Sequence, residues 1–128
     1  MKLNLFYRLP LALFCGFIFW QSGCPSLISE PLFPHDDKVM HLAAYALMAL
    51  LAARWIPREK KGLPLSRIKI LALLFASFYG LSDEIHQAFV PSRSASVMDW
   101  AADILGALLG VWIYGRVRSG KNPVSRVL

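Results

Sequence analysis

Ile68-Lys69-Ile70-Leu71-Ala72-Leu73-Leu74-Phe75-Ala76-Ser77-Phe78-Tyr79-Gly80-Leu81-Ser82-Asp83-Glu84-Ile85-His86-Gln87 is the stretch that decides the fold. From Ile70 to Leu81 the run is apolar, relieved only by Ser77, Tyr79 and Gly80. It then delivers two adjacent carboxylates, an imidazole and an amide where a membrane segment normally keeps apolar side chains. An ionisable group at the centre of a bilayer costs about 2.5–3.5 kcal/mol on insertion scales. The cluster is therefore expected at an interface or facing partners inside a bundle, at the working end of the molecule.

Working outward, this tract extends from Ile68 to Val90, and three more of similar length flank it: Leu3–Trp20, Val39–Ile56 and Val97–Tyr114. At about 1.5 Å per residue, about 18–20 helical residues cross a hydrocarbon core about 30 Å thick. The chain of 128 residues is 56% hydrophobic and 17% charged, whereas soluble domains carry about 25% charged residues. The surplus apolar surface belongs in lipid. These features predict an all-α fold, an integral membrane bundle of four transmembrane helices forming a single domain over residues 1–128. The basic tail, from about residue 116 to 128, is expected to be flexible.

Charge patterning orients the bundle. The net charge is +6, and every Lys and Arg except Lys38 and Arg93 falls on one side of an alternating four-span topology. The positive-inside rule places both termini and the middle loop in the cytoplasm, an N-in/C-in arrangement. Anionic headgroups account for the basic side, so the positive charge does not argue for nucleic acid. Glu30, Asp36, Asp37, Asp83, Glu84, Asp99 and Asp103 fall on the other half, with all three histidines, while Glu59 alone lies inside. Acidic residues contribute little to orientation, so this segregation points to a polar site on the extracytoplasmic face.

Cys15 and Cys24 are too few to define a disulfide framework or a metal knuckle. Gln21-Ser22-Gly23-Cys24 has small residues before a cysteine, as at a lipoprotein cleavage site, but Gln21 stands where an aliphatic residue belongs, so a retained first helix is expected. The loop from Gln21 to Asp36, with Pro25, Pro31 and Pro34, is expected to cap the outer end, and Asp36 or Asp37 to serve as N-cap of the second helix. Pro57–Ser66 reads as the inner turn, and Pro91 ends the third helix. Ser96 and Asp99 have capping-box spacing.

Helical spacing sorts the polar residues by face. Asp37, His41 and Tyr45 form one stripe on the second helix; Gly80, Asp83, Glu84 and Gln87 share a sector of the third, with His86 pointing away as an interfacial polar residue. On the fourth, Asp99, Asp103, Gly106 and Gly110 share a face, and the glycines permit close helix contact or self-association into an oligomer. Three readings follow from the convergence of these stripes. Carboxylates with His41 ligate a divalent cation, although no HExxH-type spacing names a metal or cofactor. Alternatively, Arg93 and Lys38 hold a lipid phosphate while His41, Asp83 or Glu84 acts as acid or base. The third is an ion-paired network that fastens the helix ends without chemistry.

Three blocks carry a resemblance to a known family: Asp37-Lys38-x-x-His41-x-x-x-Tyr45, then Asp83-Glu84-x-x-Gln87-x-Phe89-Val90-Pro91-x-Arg93, then Asp99 with Gly106-x-x-x-Gly110. Their order and spacing, over about residues 37–110, resemble the VanZ-like family of small multi-pass membrane proteins. Its name-giving member is associated with lowered susceptibility to teicoplanin, a glycopeptide carrying a fatty-acyl chain. The resemblance implies a bacterial inner-membrane location and an envelope role near membrane lipids or a lipid-linked cell-wall precursor. It supplies no reaction; the one-sided polar cluster beside the isolated cations is what leads to the expectation of a binding site drawn from Asp37, Lys38, Tyr45, Gln87, Arg93, Asp99 and Asp103. Asp103 stands where the family usually has Asn, and Ser92 where Gly is common.

Overall fold

The computed structural model describes residues 2–25 and 30–121. Residues 122–128, most of the expected flexible tail, lie outside the described residues. Four helices follow in chain order: α1 Lys2–Ser22, α2 Asp36–Glu59, α3 Leu65–Ala88 and α4 Val97–Gly120. Each is long and apolar enough to cross a membrane, and the described residues contain no strand. The protein is a multi-pass membrane protein.

The helices outrun the apolar tracts that announce them. At about 1.5 Å rise, the 24 residues of α2, α3 and α4 reach about 36 Å, beyond the hydrocarbon thickness of about 30 Å. Polar residues at each end therefore stay helical in the interfacial zone. Contrary to the sequence expectation, the inner turn does not begin at Pro57, which lies inside the last turns of α2. A proline there forfeits a single intrahelical hydrogen bond, which costs little so close to the end. At the other end of α2 the N-cap is His35, in the left-handed region at φ 63° and without a side-chain cap. Asp36 is the first helical residue instead; its carboxylate accepts from Leu32 N and Asp37 N, both at 2.8 Å, and so closes the incoming loop onto the helix. Both acids then sit in the first turn, where the helix dipole favours negative charge.

Small side chains build the core. Ala49, Ala52, Ala53, Ala72, Ala76 and Ala107 are buried completely around Met48, Ile68 and Tyr45. Alanine at these positions lets backbones approach and gain dispersion contact, which is what drives helix association where lipid removes the hydrophobic difference. α2 is central, packing most extensively on α4 and then on α3, while α1 leans against α2 and α3 from one side. The large apolar side chains point outward instead: Phe6, Leu13, Phe78, Leu105 and Trp112 are exposed, as a lipid-facing surface requires.

Gly106 and Gly110 set the closest approach. A Cβ on Gly106 would collide with the carbonyl of Leu42, and one on Gly110 with that of Ala46. The close contact these glycines permit is thus made with α2 of the same chain, and self-association through them would have to displace α2.

The connections bring the C-terminal ends of α1 and α3 together with the N-terminal ends of α2 and α4. The polar cluster gathers there. At the opposite end Arg8 pairs with Glu59 at 2.5 Å and Arg58 donates to the Tyr7 hydroxyl at 3.0 Å. The two ends thus differ in charge, as the patterning predicted.

Candidate functional site

Each helix contributes side chains to the acidic end, and their spacing explains why they meet. His41 stands one turn into α2, with Asp37 and Lys38 a turn before it. Its Nδ1 lies 2.8 Å from Asp103 Oδ1 on α4 and 4.0 Å from Glu84 Oε1 on α3. Asp103 is fully buried. Gly80 leaves room for it, since a Cβ there would stand 2.7 Å from Asp103 Oδ2. The predicted stripes on α2, α3 and α4 do converge.

Asp99 sits in the first turn of α4, and its backbone N–H donates to the Ser96 hydroxyl at 3.3 Å. That is half of the expected capping box. The reciprocal half comes from elsewhere: Ser96 N–H donates to Glu84 Oε2 at 2.8 Å. The Asp99 carboxylate is thereby released to accept from Lys38 Nζ at 3.1 Å. Lys38 also meets Asp37 at 3.1 Å, so its ammonium is shared between two carboxylates rather than free for a phosphate.

Asp83 and Glu84 are neighbours in sequence but serve different partners. Asp83 is 5% exposed and accepts a short hydrogen bond from the hydroxyl of Ser22, at the end of α1. Gln87 joins them, its amide nitrogen 3.3 Å from Asp83 Oδ2 and 3.4 Å from Ser22 Oγ. Helical spacing on α2, α3 and α4 assigned no part to Ser22 of α1; the available signal was a small hydroxyl residue at the end of an apolar helix. His86, expected at the interface, stacks on Phe19 of α1 with ring centroids 4.6 Å apart. Tyr45, 1% exposed, lies parallel to His41 at 6.4 Å, its hydroxyl without a hydrogen-bond partner.

Arg93 stands apart. It lies in the α3–α4 connector, half-buried, and makes no ion pair among the described residues; its Nε is buried without a partner. Among the described residues no ion pair joins it to Asp83. Arg93 instead borders a cavity of about 190 Å³ shared by α1, α2 and α3. Phe17, Ile18, Met40 and Ala44 make its apolar wall, and Asp37, His41, Tyr45 and Asp83 its polar end.

The arrangement is therefore an apolar groove leading to a group of hydrogen-bonded carboxylates, an imidazole and one unpaired guanidinium. Chemically it can grip a headgroup while the groove takes part of a chain. It also offers a possible metal set, since His41, Glu84 and Asp99 each present a donor atom within 4.8 Å of the others. No curated protein and no solved structure matches the chain. A family model described as VanZ/LLP1 matches residues 3–118, nearly all of the described helices and more than the three blocks alone. With four spanning helices beneath that match, the chain belongs to the VanZ/LLP1 family.

Proposed function

We propose that this protein sits in the bacterial inner membrane with both termini in the cytoplasm, and that its acidic, outward end binds the phosphate head of a lipid or lipid-linked envelope molecule. The observation that carries this reading is Arg93: a guanidinium without an ion-pair partner, bordering a groove whose wall is apolar and whose end is polar. Guanidinium pairs with phosphate in bidentate fashion, and the wall formed by Phe17, Ile18, Met40 and Ala44 suits an acyl or polyprenyl chain. Lys38 takes a supporting part, because Asp37 and Asp99 already hold its ammonium. The family's association with teicoplanin, a lipid-bearing glycopeptide, supports an envelope role.

Binding of purified protein in detergent to a panel of polyprenyl and glycerolipid phosphates tests this. At least one should bind, and Arg93→Gln should weaken it about tenfold or more without lowering the unfolding temperature. Lys60→Gln, at the exposed opposite end, should bind as wild type. Failure of every lipid, or equal affinity in Arg93→Gln, would sink the proposal.

A second reading rests on a separate observation. Lys38–Asp99 and His41–Asp103 tie α2 to α4, and Ser22–Asp83 ties α1 to α3. An assembly protein held by these links, with no ligand, predicts that Lys38→Met and Ser22→Ala lose stability in step with phenotype, while Arg93→Gln loses neither.

A further inference from the structure

His41 on α2, Glu84 on α3 and Asp99 on α4 come from three different helices, yet one donor atom of each lies within 4.8 Å of the other two. Ligands about 2.0–2.2 Å from a shared ion stand about 3–4.4 Å apart. Shifts of well under an ångström in these side chains therefore close the set around one ion.

The hydrogen bonds at this place are incomplete in a way that indicates what is missing. Glu84 is 5% exposed. Its Oε2 accepts from Ser96 N–H at 2.8 Å, while its Oε1 has no hydrogen-bond partner and faces His41 Nδ1 at 4.0 Å. A buried carboxylate oxygen without a donor is strongly unfavourable, and structures retain one where something else supplies positive charge. Asp103, fully buried, repeats the pattern: Oδ1 meets His41, and Oδ2 has no partner. The ammonium of Lys38, which reaches Asp99, is already divided between it and Asp37. Around His41 there are thus more carboxylate lone pairs and more negative charge than the protein's own donors satisfy.

We propose that His41, Glu84 and Asp99 bind a divalent transition-metal cation of the zinc or manganese type. One imidazole with two carboxylates is a mixed nitrogen–oxygen set, which suits these ions better than calcium or magnesium, which take oxygen ligands, or soft copper(I). Asp103 Oδ1 stands 2.8 Å from the same Nδ1 that faces Glu84, so an ion takes that nitrogen only by displacing the proton shared with Asp103, and binding releases a proton. Asp99 keeps a second oxygen available while Oδ1 accepts from Lys38. The site rests on this donor geometry alone and stands whether or not a phosphate-bearing lipid is bound nearby. An ion there would reduce the negative field that such a phosphate meets at the end of the groove.

Protein in detergent, stripped with a chelator and free of added lipid, is titrated separately with zinc, manganese and cobalt(II). The bound ion is counted by elemental analysis, and the cobalt absorption bands report ligand geometry. The expected result is one ion per chain, with affinity lowered at least tenfold in Glu84→Gln and in Asp99→Asn. Each variant is first shown to be folded by size exclusion and thermal unfolding, and the two ligand variants serve as alternates should one fail to fold. Wild-type protein that binds none of the three ions at millimolar concentration overturns the proposal. So does binding that survives undiminished in folded Glu84→Gln and Asp99→Asn.

Discussion

Gly106→Ala tests the contact on which the whole acidic end depends. An added Cβ would stand 2.9 Å from the Leu42 carbonyl carbon and 3.0 Å from its Cα, with the carbonyl oxygen nearer still. These are backbone atoms, so no side-chain rotation relieves them. Favourable carbon contacts begin at about 3.5 Å, so α4 must withdraw from α2 by on the order of 1 Å. Overpacking of this kind costs about 1–3 kcal/mol, and a rigid backbone contact belongs at the upper end. Replacing glycine by alanine returns up to about 1 kcal/mol of helix propensity, leaving a net loss of about 2 kcal/mol.

Gly110 faces Ala46 one turn further along the same seam. The withdrawal that accommodates one methyl largely accommodates the other. The double variant should therefore lose clearly less than the sum of the singles, with a coupling of about 1 kcal/mol or more. Equilibrium unfolding in mixed micelles, titrated with a denaturing detergent and followed by tryptophan fluorescence, measures all three. Gly16→Ala, at an exposed glycine with nothing within 4 Å of the added Cβ, should be neutral or slightly stabilising. A Gly106→Ala variant as stable as wild type, or strict additivity with Gly110→Ala, would refute the reasoning.

Three further outcomes are expected. Ser22→Ala removes the hydroxyl that serves both Asp83 and Gln87 and should cost about 1–3 kcal/mol in the same titration; a loss below about 0.5 kcal/mol would mean that water replaces the serine. Asp103→Asn keeps an acceptor for His41 and removes a buried charge with one oxygen unpartnered. It should stay within about 1 kcal/mol of wild type or gain stability, and unfolding of that variant would show that the charge itself is required. Single cysteines introduced at positions 93 and 60 of a variant lacking Cys15 and Cys24 should label from outside intact cells and only after permeabilisation, respectively. The reverse pattern would invert the topology.

Much of the architecture was legible because apolar run length and helical period act along one chain segment. The Ile70–Leu81 run and its three counterparts announced the helices, and 100° spacing put His41, Glu84, Asp99 and Asp103 on facing stripes. What spacing does not encode is the rotation and height of one helix against another. Those decided that Lys38 would be neutralised by Asp37 and Asp99, that Arg93 would stay unpaired, and that α1 would present Ser22 to Asp83. The capping box at Ser96 was half legible for the same reason. Its local half follows from a three-residue spacing, whereas Glu84, which completes it, lies twelve residues earlier on another helix. The left-handed turn at His35 escaped because nothing in its side chain requires it.

The division of labour between Asp83 and Glu84 also imposes an order of assembly. As α3 leaves the translocon, the partner of Asp83 is already in the membrane, since Ser22 belongs to α1. Glu84 has no such provision: the N–H that satisfies its Oε2 belongs to Ser96, which emerges twelve residues later and opens α4. Until then α3 carries an unsatisfied carboxylate near its trailing end, which favours retention beside the translocon over release into lipid. α3 and α4 are accordingly expected to enter as a hairpin, with the arrival of α4 supplying the donor that Glu84 lacks.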